Sequence, residues 1–159
     1  MTTAIYPGSF DPITNGHLDI VKRSSSIFEK VILAVYDIPQ KSLLFTAKER
    51  VELARKAVVD FKNVQVTSYS GITVEYARQA KAQVLVRGLR ASSDFEREFE
   101  MALMNKKLAP DIELVCFMAN LRYQFLSSSL LKEIIKLGGN LDDMVPPHVS
   151  AALKKKLLI

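Results

Sequence analysis

Five strand-like segments alternate with helix-like segments along the chain, and this alternation constrains the fold more than any other feature. The strand-like segments read AIYP, KVILAVY, NVQVTSY, AQVLVRG and IELVCFM. Continuous β-branched runs such as KVILAVY are typical of strands that are buried on both faces. The pattern therefore predicts an α/β fold: a Rossmann-like, doubly wound, five-stranded parallel sheet with helices on both faces.

The helix-like segments carry apolar residues at helical spacing and have recognisable boundaries. The first is expected from Gly16 to Phe28, the second follows a capping box at Thr46–Glu49, and the third lies around Val74–Ala80. A second capping box, Ser93–Glu96, is expected to open a helix that reaches Leu108. The last two helices are predicted in SSSLLKEIIKLGG and PPHVSAALKKKLL.

Length and composition are those of an ordinary globular protein. The chain has 159 residues and a formal charge of +5, and we expect one domain spanning residues 1–159. Cys116 lies in ELVCFM, which indicates a buried strand where cysteine is a small hydrophobe. The basic run Lys154–Lys156 indicates a solvated helix face. Without a signal peptide or an apolar run of about 18 residues, we expect a cytoplasmic protein.

Polar side chains follow every predicted strand. Ligands of such sheets bind beyond the carboxyl ends of the strands, near the point where the strand order reverses. The residues found there are Ser9, His17, Lys41, Thr73, Arg87, Arg90 and Ser127–Ser129. Cations, an imidazole and hydroxyls without clustered carboxylates favour a phosphate site over a metal site.

Two further polar residues are interpreted as structural. Asp11, before Pro12, is interpreted as a turn former, and His148, beside two prolines, as surface structure.

The common phosphate loops are absent from the sequence. It contains neither GxxxxGK[ST] nor a GxGxxG after a strand, and it has no HExxH, paired CxxC or GxSxG motif. TNGH, ending at His17, offers another solution, because Gly16 lets the backbone approach a ligand. The helix dipole disfavours an imidazolium at this place, so we expect neutral His17 to donate one N–H to a phosphoryl oxygen. The alternative is a histidine that only caps or packs the helix end.

Four motifs together resemble a known family. YPGSFDPITNGH, RGLR, DFE and FLSSS, beginning at Tyr6, Arg87, Asp94 and Phe125, look like bacterial phosphopantetheine adenylyltransferases of the (H/T)xGH nucleotidylyltransferase superfamily. The resemblance extends over essentially the whole chain, in order and with matching gaps. It implies transfer of the adenylyl group of ATP to 4'-phosphopantetheine, which gives dephospho-coenzyme A and pyrophosphate in the penultimate step of coenzyme A synthesis.

The resemblance also implies roles for single residues. Catalysis would fall to His17, Ser9, Lys41 and Arg90, and the acceptor would be bound by Ser9, Lys41, Thr73 and Arg87. ATP would be bound by Ser9, Phe10, His17, Gly88, Leu89, Arg90, Glu98, Tyr123, Gln124, Phe125, Leu126, Ser127, Ser128 and Ser129. Mg²⁺ would arrive with ATP, held mainly by phosphates and water, and no metal-binding residue is expected. A homohexamer and feedback inhibition by coenzyme A are also implied, without a nucleic-acid or membrane partner.

The chemistry accounts for the lack of a catalytic base. The acceptor is a phosphate monoester with a second pKa of about 6, so it is mostly a dianion at pH 7. Catalysis then consists of positioning and charge stabilisation. The sequence departs from the family pattern in a few places: Ser9 where threonine is common, Arg97 where tyrosine is common, and YQFLSSS in place of WSFISSS.

Plainer interpretations stay open for several of these residues. Lys41 could be an exposed loop lysine, Thr73 and Glu98 ordinary helix residues, and Ser127–Ser129 only a helix cap. Arg87 or Arg90 could instead pair with the acidic residues of DFE, Asp94 and Glu96. The protein could also be another small nucleotidylyltransferase, acting on nicotinamide mononucleotide or glycerol phosphate. From a different class, it could be a nucleotide sensor or a basic RNA-binding protein.

Overall fold

A computed structural model describes residues 2–37 and 43–157. The strands are β1 (Thr3–Gly8), β2 (Lys30–Tyr36), β3 (Val64–Tyr69), β4 (Val84–Leu89) and β5 (Glu113–Met118). The helices are α1 (Asn15–Ile27), α2 (Ala47–Ala57), α3 (Thr73–Gln79), α4 (Ser92–Leu108), α5 (Ser128–Lys136) and α6 (Pro147–Leu157). Short 3-10 turns lie at Leu121–Tyr123 and Asp142–Met144. The predicted order of strands and helices is confirmed.

The five strands form one parallel sheet in the order β3-β2-β1-β4-β5. One apolar core joins alternate residues of the central strands, such as Val31 and Leu33, to α1, α2, α5 and α6. A second core on the opposite face joins Ile5 and Ile32 to Val74 of α3. The doubly wound sheet with helices on both faces is therefore confirmed.

The strand order reverses at β1, and the pairing of β1 with β4 is short. β1 and β2 are in register over six residue pairs, and so are β4 and β5. β1 and β4 share only two pairs, Ala4 with Val84 and Ile5 with Leu85. Beyond these pairs the carboxyl halves of the two strands are not joined by a ladder, which leaves a cleft at the switch point of the sheet.

Of the two predicted capping boxes, one is confirmed and one is wrong. Thr46 accepts a hydrogen bond from the backbone N–H of Glu49, and Glu49 accepts one from the N–H of Thr46. α4 instead begins at Ser92, with Ala91 in the capping position and no side-chain cap. The Asp94 carboxylate in its first turn accepts from the backbone N–H of Arg90 and ties the helix start to the preceding loop.

The prediction that Cys116 is buried is wrong. Cys116 is exposed on β5, which lies at the edge of the sheet where no further strand shields it.

The basic run Lys154–Lys156 is exposed as predicted. Lys154 pairs with Asp142, and Lys156 pairs with Glu49. No helix within residues 2–37 and 43–157 is long and apolar enough to cross a membrane.

Candidate active site

A pocket of about 410 Å³ opens in the cleft between the carboxyl ends of β1 and β4. This volume is in the range of small-molecule sites. Many of the residues predicted from the sequence line it: Ser9, Phe10, His17, Arg87, Gly88, Arg90, Glu98, Tyr123, Leu126, Ser127, Ser128 and Ser129. Leu89, Gln124 and Phe125 do not line it, and Lys41 lies outside the described residues.

Thr14 holds His17 in one orientation. His17 is the third residue of α1, and Thr14 is the N-cap, whose side chain accepts from the backbone N–H of His17. The backbone N–H of Thr14 lies 3.0 Å from Nδ1 of the imidazole. Because a backbone N–H can only donate, Nδ1 must accept, and in the neutral ring the proton is on Nε2. Nε2 is therefore a hydrogen-bond donor.

The surroundings of His17 also keep the ring neutral. Burial, followed by the positive charges of Arg90 and Arg87, lowers the pKa of His17 from 6.5 to about 4. The ring packs edge-on against Phe10, with 5.0 Å between ring centroids. We expected the helix dipole to disfavour the imidazolium; here burial and two arginines lower the pKa.

Arg50 fixes the loop that follows β1, although no local pattern in the sequence marks it. Its side chain is 2% exposed and donates to the backbone oxygens of Ser9, Tyr36 and Phe45, at 2.7, 2.9 and 3.2 Å. A buried guanidinium that is satisfied by three carbonyls joins the ends of β1 and β2 to the segment before α2. Arg50 thus sets where the Ser9 backbone lies at the rim of the pocket.

Arg87 and Arg90 reach the pocket from the end of β4, and each is held by a carboxylate of α4. Nε of Arg87 lies 2.9 Å from both carboxylate oxygens of Glu98, and Nη1 donates to the backbone oxygen of Pro7 across the cleft. Arg90 donates to Asp94 and to the backbone oxygen of Leu126. The pairing of Arg90 with Asp94 was one of the plainer interpretations, and it is confirmed. The partner of Arg87 is Glu98, not Asp94 or Glu96.

The amino end of α5 closes the other side of the pocket. Ser127 is the N-cap and accepts from the backbone N–H of Leu130, so its predicted capping role is confirmed. The Ser128 hydroxyl donates to the backbone oxygen of Pro12 and docks the helix on the loop after β1. A helix start with unpaired N–H groups, beside Arg90, forms a place for an anion.

A second pocket of about 280 Å³ adjoins the first and shares Ser9, Arg87 and Glu98 with it. Its other walls carry Tyr36, Tyr69, Thr73, Leu85, Met101 and Asn105 among others. The Thr73 hydroxyl is hydrogen-bonded to the Tyr69 hydroxyl, and the rings of Tyr69 and Tyr76 are stacked. Thr73 therefore lies in a separate, partly aromatic pocket that meets the first at Arg87.

The described residues contain no group of three histidine, cysteine or carboxylate side chains placed to hold a metal ion. The three carboxylates that line the larger pocket are each paired with a cation: Asp11 with Lys132, Asp94 with Arg90, and Glu98 with Arg87. His148 lies outside both pockets, with Nε2 3.0 Å from the backbone oxygen of Leu53, in agreement with a structural role.

Comparison with known proteins places this site in a family. Residues 5–134 match the family model described as cytidylyltransferase-like. A phosphopantetheine adenylyltransferase of Roseiflexus sp. (strain RS-1) is 54% identical over 155 residues, which cover 98% of this chain and 97% of the relative. The chain belongs to the phosphopantetheine adenylyltransferase family. A Heliobacterium modesticaldum member of this family is 53% identical over 156 residues, which cover 98% of the chain and 93% of the relative.

Solved structures agree with this family fold. A Vibrio parahaemolyticus protein described as a nicotinate-nucleotide adenylyltransferase superposes with a TM-score of 0.73 at 19% identity, covering 99% of this chain and 95% of that one. A lipopolysaccharide core biosynthesis protein of Thermoplasma volcanium gives a TM-score of 0.58 at 19% identity, covering 76% of this chain and 98% of its own. At such identities the likeness concerns the fold and not the substrate.

Several residues of the phosphopantetheine adenylyltransferase pocket were not predicted. They include Tyr6, Thr14, Asp94, Arg97 and Lys132. Thr14 could have been found from TNGH, because a threonine three residues before a histidine at a helix start is a capping pattern. Lys132 lies four residues after Ser128, so helical spacing alone puts both on one face of α5.

Proposed function

We propose that this chain transfers the adenylyl group of ATP to 4'-phosphopantetheine by in-line attack of the acceptor phosphate on the α-phosphorus, without a covalent enzyme intermediate. The fixed tautomer of His17 carries the proposal. With Nδ1 accepting from Thr14, the Nε2–H is available to an α-phosphoryl oxygen, whose charge grows in the transition state. A ring with a pKa near 4 is a poor base at pH 7, and a dianionic nucleophile needs none.

The remaining positively charged groups would act at two places, the leaving pyrophosphate and the attacking acceptor phosphate. Arg90 and the start of α5 at Ser127 would bind the β- and γ-phosphates and receive the leaving pyrophosphate. Lys41 would hold the acceptor phosphate, and Ser9 would lie near it. Two anions must meet in the transition state, so positive groups on both sides lower the barrier by electrostatic stabilisation.

The second pocket fits the proposed acceptor. Pantetheine is a flexible chain with two amides, and it would need an elongated site with both apolar and hydrogen-bonding walls. The pocket offers Tyr69, Thr73, Met101 and Asn105, and it meets the ATP pocket at Arg87. Glu98 holds Arg87 at this junction, so we propose that Arg87 contacts the acceptor and that Glu98 contacts the nucleotide from the same ion pair.

Magnesium is proposed to arrive with ATP. Each carboxylate of the pocket already has a cationic partner, which leaves oxygens of the phosphates and water as the main ligands. When bound, the ion would neutralise phosphate charge.

Two further properties are proposed for this chain. Coenzyme A, which shares most groups of the product, is proposed as a feedback inhibitor, and a cytoplasmic location stays a prediction.

Release of pyrophosphate tests the function. Purified protein with ATP, Mg²⁺ and 4'-phosphopantetheine should release pyrophosphate and form dephospho-coenzyme A in equal amounts. Parallel reactions with nicotinamide mononucleotide and with glycerol phosphate should give no product above background. Turnover of either of those acceptors together with none of phosphopantetheine would overturn the proposal.

The low pKa of His17 predicts a stability that depends on pH. In the unfolded chain histidine has a pKa of about 6.5, so between pH 6.5 and 4 the unfolded state binds the proton more readily than the native state. The contribution of His17 to the free energy of unfolding is therefore complete above pH 6.5 and falls as the pH approaches 4. Urea unfolding at pH 7.5 and pH 5 should show a smaller loss for His17→Gln than for the native protein.

His148→Gln is the matched control, because it removes the other histidine of the chain outside both pockets. It should lose as much stability on acidification as the native protein. Equal losses in the native protein and in His17→Gln would mean that His17 titrates normally.

We propose that α4 packs against other copies of the chain in a homohexamer. Six apolar side chains of this helix are about half exposed or more: Phe95, Phe99, Met101, Leu103, Met104 and Leu108. An apolar surface of this extent on one helix marks an interaction site, and the family resemblance implies that the partner is a second copy.

Replacing exposed apolar residues of α4 with charged ones should disrupt the assembly. The double variant Phe99→Glu/Met104→Glu is expected to sediment as a smaller species than the native protein in analytical ultracentrifugation, because burying two carboxylates at an interface is costly. Leu137→Glu, which changes another exposed apolar residue outside α4, should keep the native mass. A native protein that is monomeric at micromolar concentration would contradict the proposal.

A further inference from the structure

Tyr6 is a buried tyrosine of the larger pocket, and its hydroxyl has no hydrogen-bond partner within the part of the chain that the structure describes. The residue is only 6% exposed and lines the pocket. Its ring contacts the rings of Phe10 and His17, with 5.3 and 6.4 Å between centroids. Buried tyrosine hydroxyls usually have a partner. An unpartnered one on a pocket wall therefore indicates a group that a ligand completes.

The position of Tyr6 in the sheet places its side chain at the base of the cleft. The last residue pair between β1 and β4 is Ile5 with Leu85, so Tyr6 is the first residue of β1 beyond that ladder. A Cβ at Gly88 of β4 would lie 4.0 Å from the Tyr6 hydroxyl oxygen, so the hydroxyl reaches the opposite strand. Among the described residues, the one fully enclosed side-chain oxygen or nitrogen without a partner is Oγ of Ser24. The Tyr6 hydroxyl, which also has no partner, is thus open to the pocket.

The surroundings keep this hydroxyl protonated. Burial raises the pKa of Tyr6 far above its ordinary value, and the nearby charges of Arg87 and Arg90 lower it by less. A neutral phenol carries one O–H donor. The Nε2–H of His17, whose ring neighbours that of Tyr6, is a second uncharged donor in the same pocket. Two uncharged donors beside two arginines suit the oxygens of an anionic phosphoryl group.

We propose that the Tyr6 hydroxyl is a further catalytic group, which donates a hydrogen bond to a non-bridging α-phosphoryl oxygen of ATP while the adenylyl group is transferred. This rests on the proposed function, because it takes the α-phosphorus to lie beside His17. A donor that is already fixed in place stabilises the charge that grows on this oxygen in the transition state. The cost is a buried hydroxyl that stays unsatisfied in the free protein.

Tyr6→Phe tests the proposal, because it removes the hydroxyl and keeps the ring. It should lower kcat at least about 10-fold, as the loss of a transition-state donor does, while calorimetry should give an affinity for ATP within about two-fold of the native one. The free variant should unfold at the same urea concentration as the native protein or at a higher one, since it loses no hydrogen bond. A merely structural hydroxyl would leave kcat unchanged.

Tyr76→Phe is the matched control. The Tyr76 hydroxyl lies 2.6 Å from Oγ1 of Thr67, and Tyr76 lines neither pocket. This variant should retain native kcat and unfold at a lower urea concentration, because it loses an existing hydrogen bond. The two variants should therefore differ in opposite ways. A Tyr6→Phe variant that keeps native kcat, whether or not it binds ATP more weakly, would overturn the proposal.

Sulfur at a non-bridging α-oxygen tests the contact itself. ATP with one such oxygen replaced by sulfur exists as two diastereomers, and sulfur is a weak hydrogen-bond acceptor. For the diastereomer that changes the oxygen facing Tyr6, the rate loss caused by sulfur should be smaller in Tyr6→Phe than in the native protein, because the bond is already missing. Losses that are the same in both proteins for both diastereomers would contradict a direct contact.

Failure of this inference can be distinguished from failure of the proposed function. Native protein that converts phosphopantetheine, together with a Tyr6→Phe variant of equal kcat, would contradict only the role of Tyr6. Native protein that adenylylates a different acceptor would contradict the proposed function. The same comparison with that acceptor would then decide the role of Tyr6, because the α-phosphorus is attacked in both reactions.

Discussion

His17→Ala should lower kcat about 10²-fold or more, as the loss of a transition-state hydrogen-bond donor does in other enzymes. The fold should persist, because Thr14 keeps its capping bond to the backbone N–H of residue 17 and loses only its two contacts with Nδ1. We expect a decrease of about 1 kcal/mol in the free energy of unfolding. Pyrophosphate release and urea unfolding measure the two effects.

His148→Ala is the control for this variant, since it removes the other histidine, whose contact is with Leu53. It should retain native kcat. If His17→Ala loses only a few-fold in kcat, the imidazole does not stabilise the transition state, and the packing of His17 on Phe10 would be its main role.

Arg90→Met should lower kcat/KM for ATP about 10²-fold. Arg90 supplies a guanidinium at the place assigned to the β- and γ-phosphates, and charged hydrogen bonds to phosphate are among the strong ones. Methionine keeps much of the side-chain length without the charge. Initial rates at varied ATP, with phosphopantetheine saturating, measure the loss.

Arg78→Met is the matched control for Arg90→Met. Arg78 is also an arginine paired with an aspartate, Asp111, but it lies outside both pockets. It should leave kcat/KM unchanged. An Arg90→Met variant that stays within three-fold of the native protein would remove Arg90 from phosphate binding, and its role would then be structural, through its bonds to Asp94 and to the Leu126 backbone.

Much of the fold could be predicted, because it depends on short-range patterns. The buried run at β2, the Thr46–Glu49 capping box and the start of α1 near Gly16 are all visible in consecutive residues. The prediction that Cys116 is buried is wrong because the composition of a strand does not tell whether the strand lies at the centre or at the edge of a sheet. The capping box expected at Ser93–Glu96 is wrong because α4 already begins at Ser92, with Ala91 as its N-cap, so Ser93 is not in the capping position.

The site divides in the same way. His17 and Ser127 could be placed at helix starts from local sequence, and the structure brings both to one pocket. Arg50 could not, since its three carbonyl partners come from segments that meet only in the folded chain. The bond of Asp11 to Lys132, 121 positions apart, is hidden for the same reason.

The pairing of β1 with β4, which has only two residue pairs, is also the place where neighbouring strands should separate most easily. Every other pair of adjacent strands is joined over six positions, so local unfolding free energy should be lowest here. Ser9 and His17 belong to the β1 side and Arg90 to the β4 side. A bound nucleotide that contacts both sides would link the two halves of the sheet for as long as it stays bound. Amide hydrogen exchange on either side should slow when the nucleotide binds and return to its original rate when the products leave.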